Sequence, residues 1–513
     1  MSSVTLTSLF STALSRFGSR PAVNDGGTIL SYQELVSTAN KLAHRLISLG
    51  VGPGSTVALM MSNRLEYVIA DQAIIRCGAV KVALNDMLAY NDINYILRDS
   101  EVSVAIADSG MLADALLCRP DCLRAIIAVS EADHGEAVMS WKEALTGQPD
   151  STPDIEPDSS DLGLIIYTGG TTGRSKGVMH SYHSLAVNLL SHIVEMNLMD
   201  DEILLLTSPL PHSAGFFLQA GLLKGAYHFL ESKFDPEVVL HHISENRITC
   251  TFMVPTMIYR LLDRCSARDI DTSSLRTILY GAAPITPERL QQGLAQFGMV
   301  FMQFYGQSEA PNFISRLRRE DHRLDSGNAQ RLGSCGQAAT MASIRIVDND
   351  GVELRPGDVG EIIVKTPYNM NGYRGLAEES ASALRSGWLH TGDLGYFDKH
   401  GYLYLLDRKK DIIITGGMNV YSSEVEAVIA AHRDVSQVAV IGVPHPDWGE
   451  AVVAFIVPAD GYSIDTNSLL SDCRKELAKY KQPKAIHILD SIPTTVYGKL
   501  DKKILRELWP GWD

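Results

Sequence analysis

The sequence predicts an α/β protein. A large N-terminal domain of parallel and mixed sheets with flanking helices carries a small barrel-like sheet, and a small α+β C-terminal domain follows. Three observations support this. In the first third of the chain, short β-branched runs alternate with helical stretches, a pattern that implies a largely parallel sheet covered by helices. Around 340–407 the pattern changes to short strands with frequent glycine ("ASIRIVDNDGVELRPGDVGEIIVKTP", "GYLYLLD"), which suggests hairpins or a small barrel. Beyond the charged interruption "DRKKD", Asp407 to Asp411, comes a compact run of strand and helix signals.

"STVALMM" reads as a strand and the following "LEYVIADQAIIRCGAV" as an amphipathic helix. "VSVAIAD" and "LRAIIAVS" repeat the strand signal, with helical sequence between them. Residues 147–161, "GQPDSTPDIEPDSSD", are rich in Pro, Asp and Ser and are expected to form an exposed connector. The connector leads into the buried strand "LGLII", and further on "TPERLQQGLAQF" has helical periodicity. "VSQVAVIGVPH", "EAVVAFIVP" and "LLSDCRKELAKY" give the last region two strands and a helix. The boundary is placed at about 408, giving domains of 1–408 and 409–513.

A chain of 513 residues is too long for one domain, and 45% hydrophobic with 20% charged residues fits a well-packed globule. A net charge of −15 argues against a nucleic-acid surface, which needs a basic face. A bound nucleotide must therefore be held by local positive groups and a metal ion. The 7 cysteines, Cys77, Cys118, Cys122, Cys250, Cys265, Cys335 and Cys473, are scattered and form no C-x-x-C pair. Neither a zinc site nor a disulfide framework is indicated, and the expected location is the cytoplasm. "MSSVTLTSLFSTALSRFGSR" lacks the basic start and apolar core of a secretory signal. No apolar run approaches the roughly eighteen residues of a membrane span.

"YTGGTTGRSKGVMH", Tyr167 to His180, follows the apolar strand directly. Its glycines loosen the backbone and expose N–H groups, while threonine hydroxyls and a lysine amine add donors. That composition suits phosphate. It is not the common nucleoside-triphosphate loop, because Lys176 lies three positions after Gly173 and precedes Gly177, not Ser or Thr. Nor does it carry the G-x-G-x-x-G fingerprint of dinucleotide folds.

Further motifs follow in order: "PLPHSAGF" (209–216), "YGAAP" (280–284), "YGQSEA" (305–310), "GWLHTGDLG" (387–395), "LLDRKKDIIITGGMNVYSSEVE" (405–426) and "PTTVYGKLDKK" (493–503). With the loop, this ordered set resembles that of the adenylate-forming superfamily, from about residue 20 to about 505. The superfamily includes acyl-CoA synthetases, peptide-synthetase adenylation domains and beetle luciferases; the resemblance here is to the acyl-CoA synthetase branch.

The resemblance implies ATP, Mg²⁺ and coenzyme A as cofactors and a carboxylic acid as substrate. It implies that Thr168, Gly169, Gly170, Thr171, Thr172, Gly173 and Lys176 hold the β- and γ-phosphates. Gly169 stands where serine is common, and Ser175 where proline is common. Glu309 matches the residue that holds Mg²⁺, which takes carboxylate and phosphate oxygens. Tyr305 is implied to pack on adenine, and Gly281, Ala282 and Ala283 to form a thin wall beside it. Gly306 belongs to the same nucleotide site, and Ser308, in place of threonine, would bond the α-phosphate. Asp393 and Arg408 match the ribose contacts. Lys499 matches the catalytic lysine, whose ammonium offsets the repulsion between the attacking carboxylate and the α-phosphate; Val496 and Tyr497 replace the usual small residues ahead of it. In the family the C-terminal domain is mobile and rotates after adenylation, with Lys410 at the hinge and Gly416 and Gly417 lining the pantetheine channel.

The acyl pocket is expected between His212, Ala214, Phe216, Phe217, Tyr280, Gly281 and Gly306, with His212 as a gate beside the acid's carboxylate. This lining offers no charge for a substrate amine, so an apolar acid (fatty, aromatic or alicyclic) is expected. An alternative is a stand-alone adenylating enzyme that serves a carrier-protein thiol or a separate ligase. A luciferase-type oxygenase and a silent nucleotide-binding scaffold are further readings; the scaffold is expected to lose Lys499 or Glu309, and both are present. A homodimer is left open.

Overall fold

The computed structural model describes residues 4–130, 138–168, 174–265, 270–283, 285–324, 329–432, 434–459, 461–494 and 500–512. Among these, the strands assemble into four sheets. One eight-stranded sheet runs outward from Thr56–Met60, with Val80–Leu84 and Val104–Asp108 parallel on either side. These are the strands expected from "STVALMM" and "VSVAIAD", and helices connect them, as parallel neighbours require. Leu162–Thr168 joins this sheet beside Val80–Leu84 and then turns back antiparallel through Lys176–Ser181. A nine-stranded sheet contains parallel strands Ile203–Leu206, Cys250–Met253, Thr277–Tyr280 and Phe301–Gln307, closed by antiparallel Ala310–Leu317.

The helix Leu65–Arg76 differs from the amphipathic reading. Every residue from Tyr67 to Arg76 is buried, because the helix packs against strands of both large sheets. A helix enclosed in this way has no polar face to show. Tyr182–Met196 also touches both sheets, through Lys176–Ser181 on one and Ala310–Leu317 on the other. The main core lies between the sheets, around these two helices and Gly215–Lys224. The 147–161 connector runs over the helix Tyr32–Ser48, where Asn40 and His44 bond its Asp150 and Ser151 carbonyls. Pro153 and Pro157 are buried, so the connector is partly anchored.

The 340–407 region forms an antiparallel sheet of Ser343–Val347, Gly360–Lys365, Trp388–Phe397 and Leu384–Arg385, with Leu403–Arg408 paired on Trp388–Phe397. A separate small α+β domain then begins. Its sheet is Met418–Val420, Ile413–Thr415, Gly449–Pro458 and Val435–His445, with Ala485–Ile488 parallel on Gly449–Pro458. Sheet membership changes between Arg408 and Ile413. Among the described residues no helix is long and apolar enough to cross a membrane.

Candidate active site

The glycine-rich loop joins two antiparallel strands, with Tyr167 opposite Gly177 and Thr168 opposite Lys176. Gly169, Gly170, Thr171, Thr172 and Gly173 lie outside the described residues. Thr168 Oγ1 reaches the Lys176 carbonyl at 3.5 Å, and a Cβ on Gly177 would crowd the Tyr167 ring at 3.1 Å. Lys176 Nζ sits 5.0 Å above the ring of Tyr373, whose hydroxyl donates to Glu309 Oε1 at 2.8 Å. Tyr373 thus links the loop lysine to Glu309. Burial raises its pKa, and the adjacent Glu309 carboxylate adds to the shift, so it remains a donor.

Ser308 and Glu309 form a tight turn between Phe301–Gln307 and Ala310–Leu317, in which Gln307 pairs with Ala310. Two backbone contacts hold the turn. His180 Nε2 meets the Ser308 carbonyl at 2.7 Å, and Met370 N–H donates to the Glu309 carbonyl at 2.7 Å. Gly306 has to be glycine, because a Cβ there would lie 2.5 Å from the Asn312 carbonyl oxygen. Asn312 itself adopts φ +63°, uncommon for a residue with a side chain.

Asp393, 4% exposed, is ringed by donors. Tyr305 Oη donates to Oδ2 at 2.7 Å and Gln307 Nε2 to the same oxygen at 2.6 Å. Arg408 lies directly across the strand pair, its Nε 3.2 Å from Oδ1. Burial opposes the Arg408 charge, but Asp393 and Glu309 outweigh it and hold the guanidinium pKa above its ordinary value. Lys410 follows two residues on, its pKa lowered by burial and by Arg408. The structure therefore brings Tyr305, Asp393 and Arg408 together, and adds Gln307.

Gly281 to Ala283 follow the strand Thr277–Tyr280. A Cβ on Gly281 would lie 2.7 Å from the Phe304 carbonyl oxygen, and Ala282 has φ +67°. The backbone at Gly281 thus packs directly on the neighbouring strand, with no room for a side chain. Tyr280 departs from its expected place in the acyl pocket. Side chains alternate along a strand, which puts Tyr280 with Phe301 and Leu290 on the sheet face away from Phe217 and Phe304. It is fully buried there, and its hydroxyl bonds His322 Nε2 at 2.9 Å.

Of the other expected pocket residues, Phe216 and Phe217 share a contact with His192, and His212 lies beside Asn85. His212 occupies a non-helical kink in Leu210–Ala214, with Nε2 3.3 Å from Asn85 Nδ2. Ala214, Phe216 and Phe217 are buried behind it. Both phenylalanines pack on His192, with ring centroids at 5.8 and 5.4 Å, and Phe217 also meets Phe304 at 5.6 Å. The buried His192 carries its proton on Nδ1, donating to the Asn188 carbonyl at 2.7 Å, so Nε2 accepts from Asn312 Nδ2 at 2.8 Å. The sequence reading named none of Gln307, Tyr373, His192 and Asn312. Gln307 sits inside a quoted motif and was within reach, but the others come from elements with no motif of their own.

Gly416 and Gly417 form the turn of the hairpin Ile413–Thr415/Met418–Val420, at φ +57° and +79°. A Cβ on either would meet nothing within 4 Å, so the turn conformation, not a shortage of space, selects glycine here. Lys499 lies outside the described residues. The seven cysteines are free thiols, all buried except the half-buried Cys122.

The family model described as "AMP-binding enzyme" matches residues 10–374, and that of the "AMP-binding enzyme C-terminal domain" matches 424–499. A medium/long-chain-fatty-acid–CoA ligase of Mycobacterium tuberculosis is 37% identical over 516 residues, covering 97% of this chain and 89% of the relative. A feruloyl-CoA synthase of an Amycolatopsis species is 38% identical over 487 residues, covering 94% and 95%. The solved structure of ATP-bound MatB from Rhodopseudomonas palustris superposes with TM-score 0.89 at 31% identity, covering 98% of this chain and 99% of that one. The chain belongs to the AMP-binding enzymes of the adenylate-forming superfamily, among the AMP-forming acid–CoA ligases.

Proposed function

We propose that the protein activates an apolar carboxylic acid, fatty, aromatic or alicyclic, as its acyl-adenylate and then transfers the acyl group to coenzyme A. The observation that carries this reading is the buried Asp393 carboxylate. Tyr305, Gln307 and Arg408 orient it, and it would accept the ribose hydroxyls of ATP. Lys176, with Thr168 and the loop glycines and threonines, would hold the outer phosphates. Ser308 would bond the α-phosphate, and Gly281 to Ala283 would let the base approach the backbone. The acid oxygen attacks the α-phosphorus and the bond to pyrophosphate breaks; Lys499 offsets the charge that builds between the two anions. Glu309 suits Mg²⁺, because it offers a hard carboxylate oxygen steadied by Tyr373, and phosphate and water oxygens would complete the set. The ion, when bound, neutralises phosphate charge.

For the second step we place the domain division at Arg408 and the hinge at Lys410. Rotation would withdraw Lys499 and bring the Gly416–Gly417 turn beside the thiol's path. The thiol sulfur then attacks the acyl carbon and AMP departs. Phe216, Phe217 and Phe304 make the acyl side apolar and aromatic, which suits both fatty acids and ferulate, the acids named for the two relatives.

The test is AMP release by the purified protein with ATP and Mg²⁺ over a panel of fatty, aromatic and alicyclic acids, each with and without CoA. Turnover that needs both acid and CoA is expected. Acid-dependent turnover indifferent to CoA would move the acceptor to a carrier-protein thiol or a separate ligase. Activity confined to α-amino acids would overturn the apolar pocket.

A further inference from the structure

We propose that Asp407, Ser422 and Lys502 form a latch across the junction of the two domains, with Lys502 a positioning residue for adenylation. Asp407 lies on the strand Leu403–Arg408 of the barrel-like sheet. Its Oδ2 accepts from Ser422 N–H at 2.8 Å and from Ser422 Oγ at 2.6 Å. Ser422 is the first residue of the helix Ser422–Ala430, which belongs to the C-terminal domain. The residue before it, Tyr421, makes no side-chain cap to that helix. A carboxylate from the other domain supplies the cap instead, satisfying a helix N–H that would otherwise be orphaned and meeting the positive end of the dipole.

Lys502 completes the group. It opens the helix Lys502–Leu508, and its Nζ donates to Ser422 Oγ at 2.6 Å while lying 3.6 Å from Asp407 Oδ1. The proton inventory is consistent: the serine hydroxyl donates to the carboxylate and accepts from the ammonium. The side chains of Asp407 and Lys502 are 6% and 14% exposed, so solvent screens the pair weakly. Burial raises the pKa of Glu426, one turn along the same helix, and the Lys502 charge and the Val440 N–H, which donates to it at 2.8 Å, oppose that shift. Removing that ammonium leaves two buried carboxylates without their shared cation.

The next two residues point back into the N-terminal domain. Arg408 pairs with Asp393, and Lys409 Nζ reaches Glu361 Oε2 at 3.3 Å on the strand Gly360–Lys365. Asp407 therefore sits beside the nucleotide site while gripping the far domain. Asp407 precedes the 409–412 connector, whereas Ser422 and Lys502 follow it, so rotation about the connector must break the latch. Lys499 is three residues before Lys502, a stretch of chain spanning at most about 11 Å. Anchoring Lys502 at Asp407 would thus limit how far the chain carrying Lys499 can move away from the strand Leu403–Arg408. The inference rests on the proposed role of Lys499.

The test separates the half-reactions in Lys502→Met, Lys502→Arg and Ser422→Ala proteins. Acid-dependent pyrophosphate release reports the first, and CoA transfer from supplied acyl-adenylate the second. Lys502→Met is expected to slow the first by about ten-fold or more and leave the second within about two-fold, with Lys502→Arg restoring most of the loss. Trypsin cleavage at Lys409 or Lys410 is expected to quicken in Ser422→Ala at unchanged Tm, and in Lys502→Met together with a lowered Tm. Equal loss of both half-reactions, no loss of either, or an unchanged cleavage rate would overturn the latch. If Lys502→Met fails to fold, Ser422→Ala decides by the same readouts. A wild-type protein that adenylates no acid would instead sink the proposed function, and the cleavage rates alone would then decide the latch.

Discussion

At Asp393 one carboxylate collects a phenol, an amide and a guanidinium, and each donor comes from a position that a strand register dictates. Hydrogen bonds to a charged group contribute about 1.5–3 kcal/mol each, and the partners of a deleted carboxylate are left unsatisfied. Asp393→Ala should therefore raise the KM for ATP by about ten- to a hundred-fold, read in steady-state assays. An unchanged KM would remove Asp393 from the nucleotide site. Lys499→Ala should lower adenylate formation by about 10²–10³-fold, the scale of a lost transition-state contact, while sparing CoA transfer from supplied acyl-adenylate. Loss of both steps would make the lysine structural. At this scale the sequence was most informative where a motif names the residue itself, as with Asp393 in "TGDLG" and Glu309 in "YGQSEA". It was silent on Tyr373, whose part depends on a fold that carries it to Glu309 from a distant strand.

Among the elements, the turn between Phe301–Gln307 and Ala310–Leu317 does the most positioning. It sets Tyr305, Gln307 and Glu309 in a few residues, and it closes only because Gly306 lies against the backbone of Asn312. Gly306→Ala should destabilise the protein by about 1–3 kcal/mol, the range for overpacking a tight site. A lowered Tm with reduced kcat/KM for ATP is expected; a wild-type Tm would show that the turn relaxes freely. The strands "STVALMM" and "VSVAIAD" were legible because buried β-branched runs have few other uses. The helix Leu65–Arg76 was read as amphipathic because its few polar residues were assigned to a solvent face. Asp71 among them is instead paired inside with Lys81 and Gln219. Tyr280 was misplaced for a related reason: the motif names the residue, but only the strand's alternation decides which face it takes.

Across the described residues of the molecule, four buried histidines are held neutral. Burial lowers the pKa of His180, His192, His228 and His322 to about 4, and each has a ring nitrogen on a backbone carbonyl. Around the fully buried His228 the backbone carbonyls of Ala22 and Leu218 favour the protonated ring, but burial outweighs them. Because these bases have folded pKa values below the unfolded value of about 6.5, the unfolded state takes up protons first as pH falls. Their contribution to stability is complete above about pH 6.5 and is lost between there and about pH 4, at about 1.4 kcal/mol per pKa unit for each histidine. Tm should fall steadily between pH 7 and pH 5, and less steeply in His192→Gln; a flat profile would show that the histidines are hydrated.

The central claim is that one oxygen of the acid becomes bonded to the α-phosphorus of ATP. The measurement that tests it most directly uses a turned-over acid labelled with oxygen-18 in its carboxylate, with the product nucleotide weighed by mass spectrometry. The account predicts AMP carrying an oxygen-18 atom from the acid. Unlabelled AMP, or ADP in its place, would contradict it.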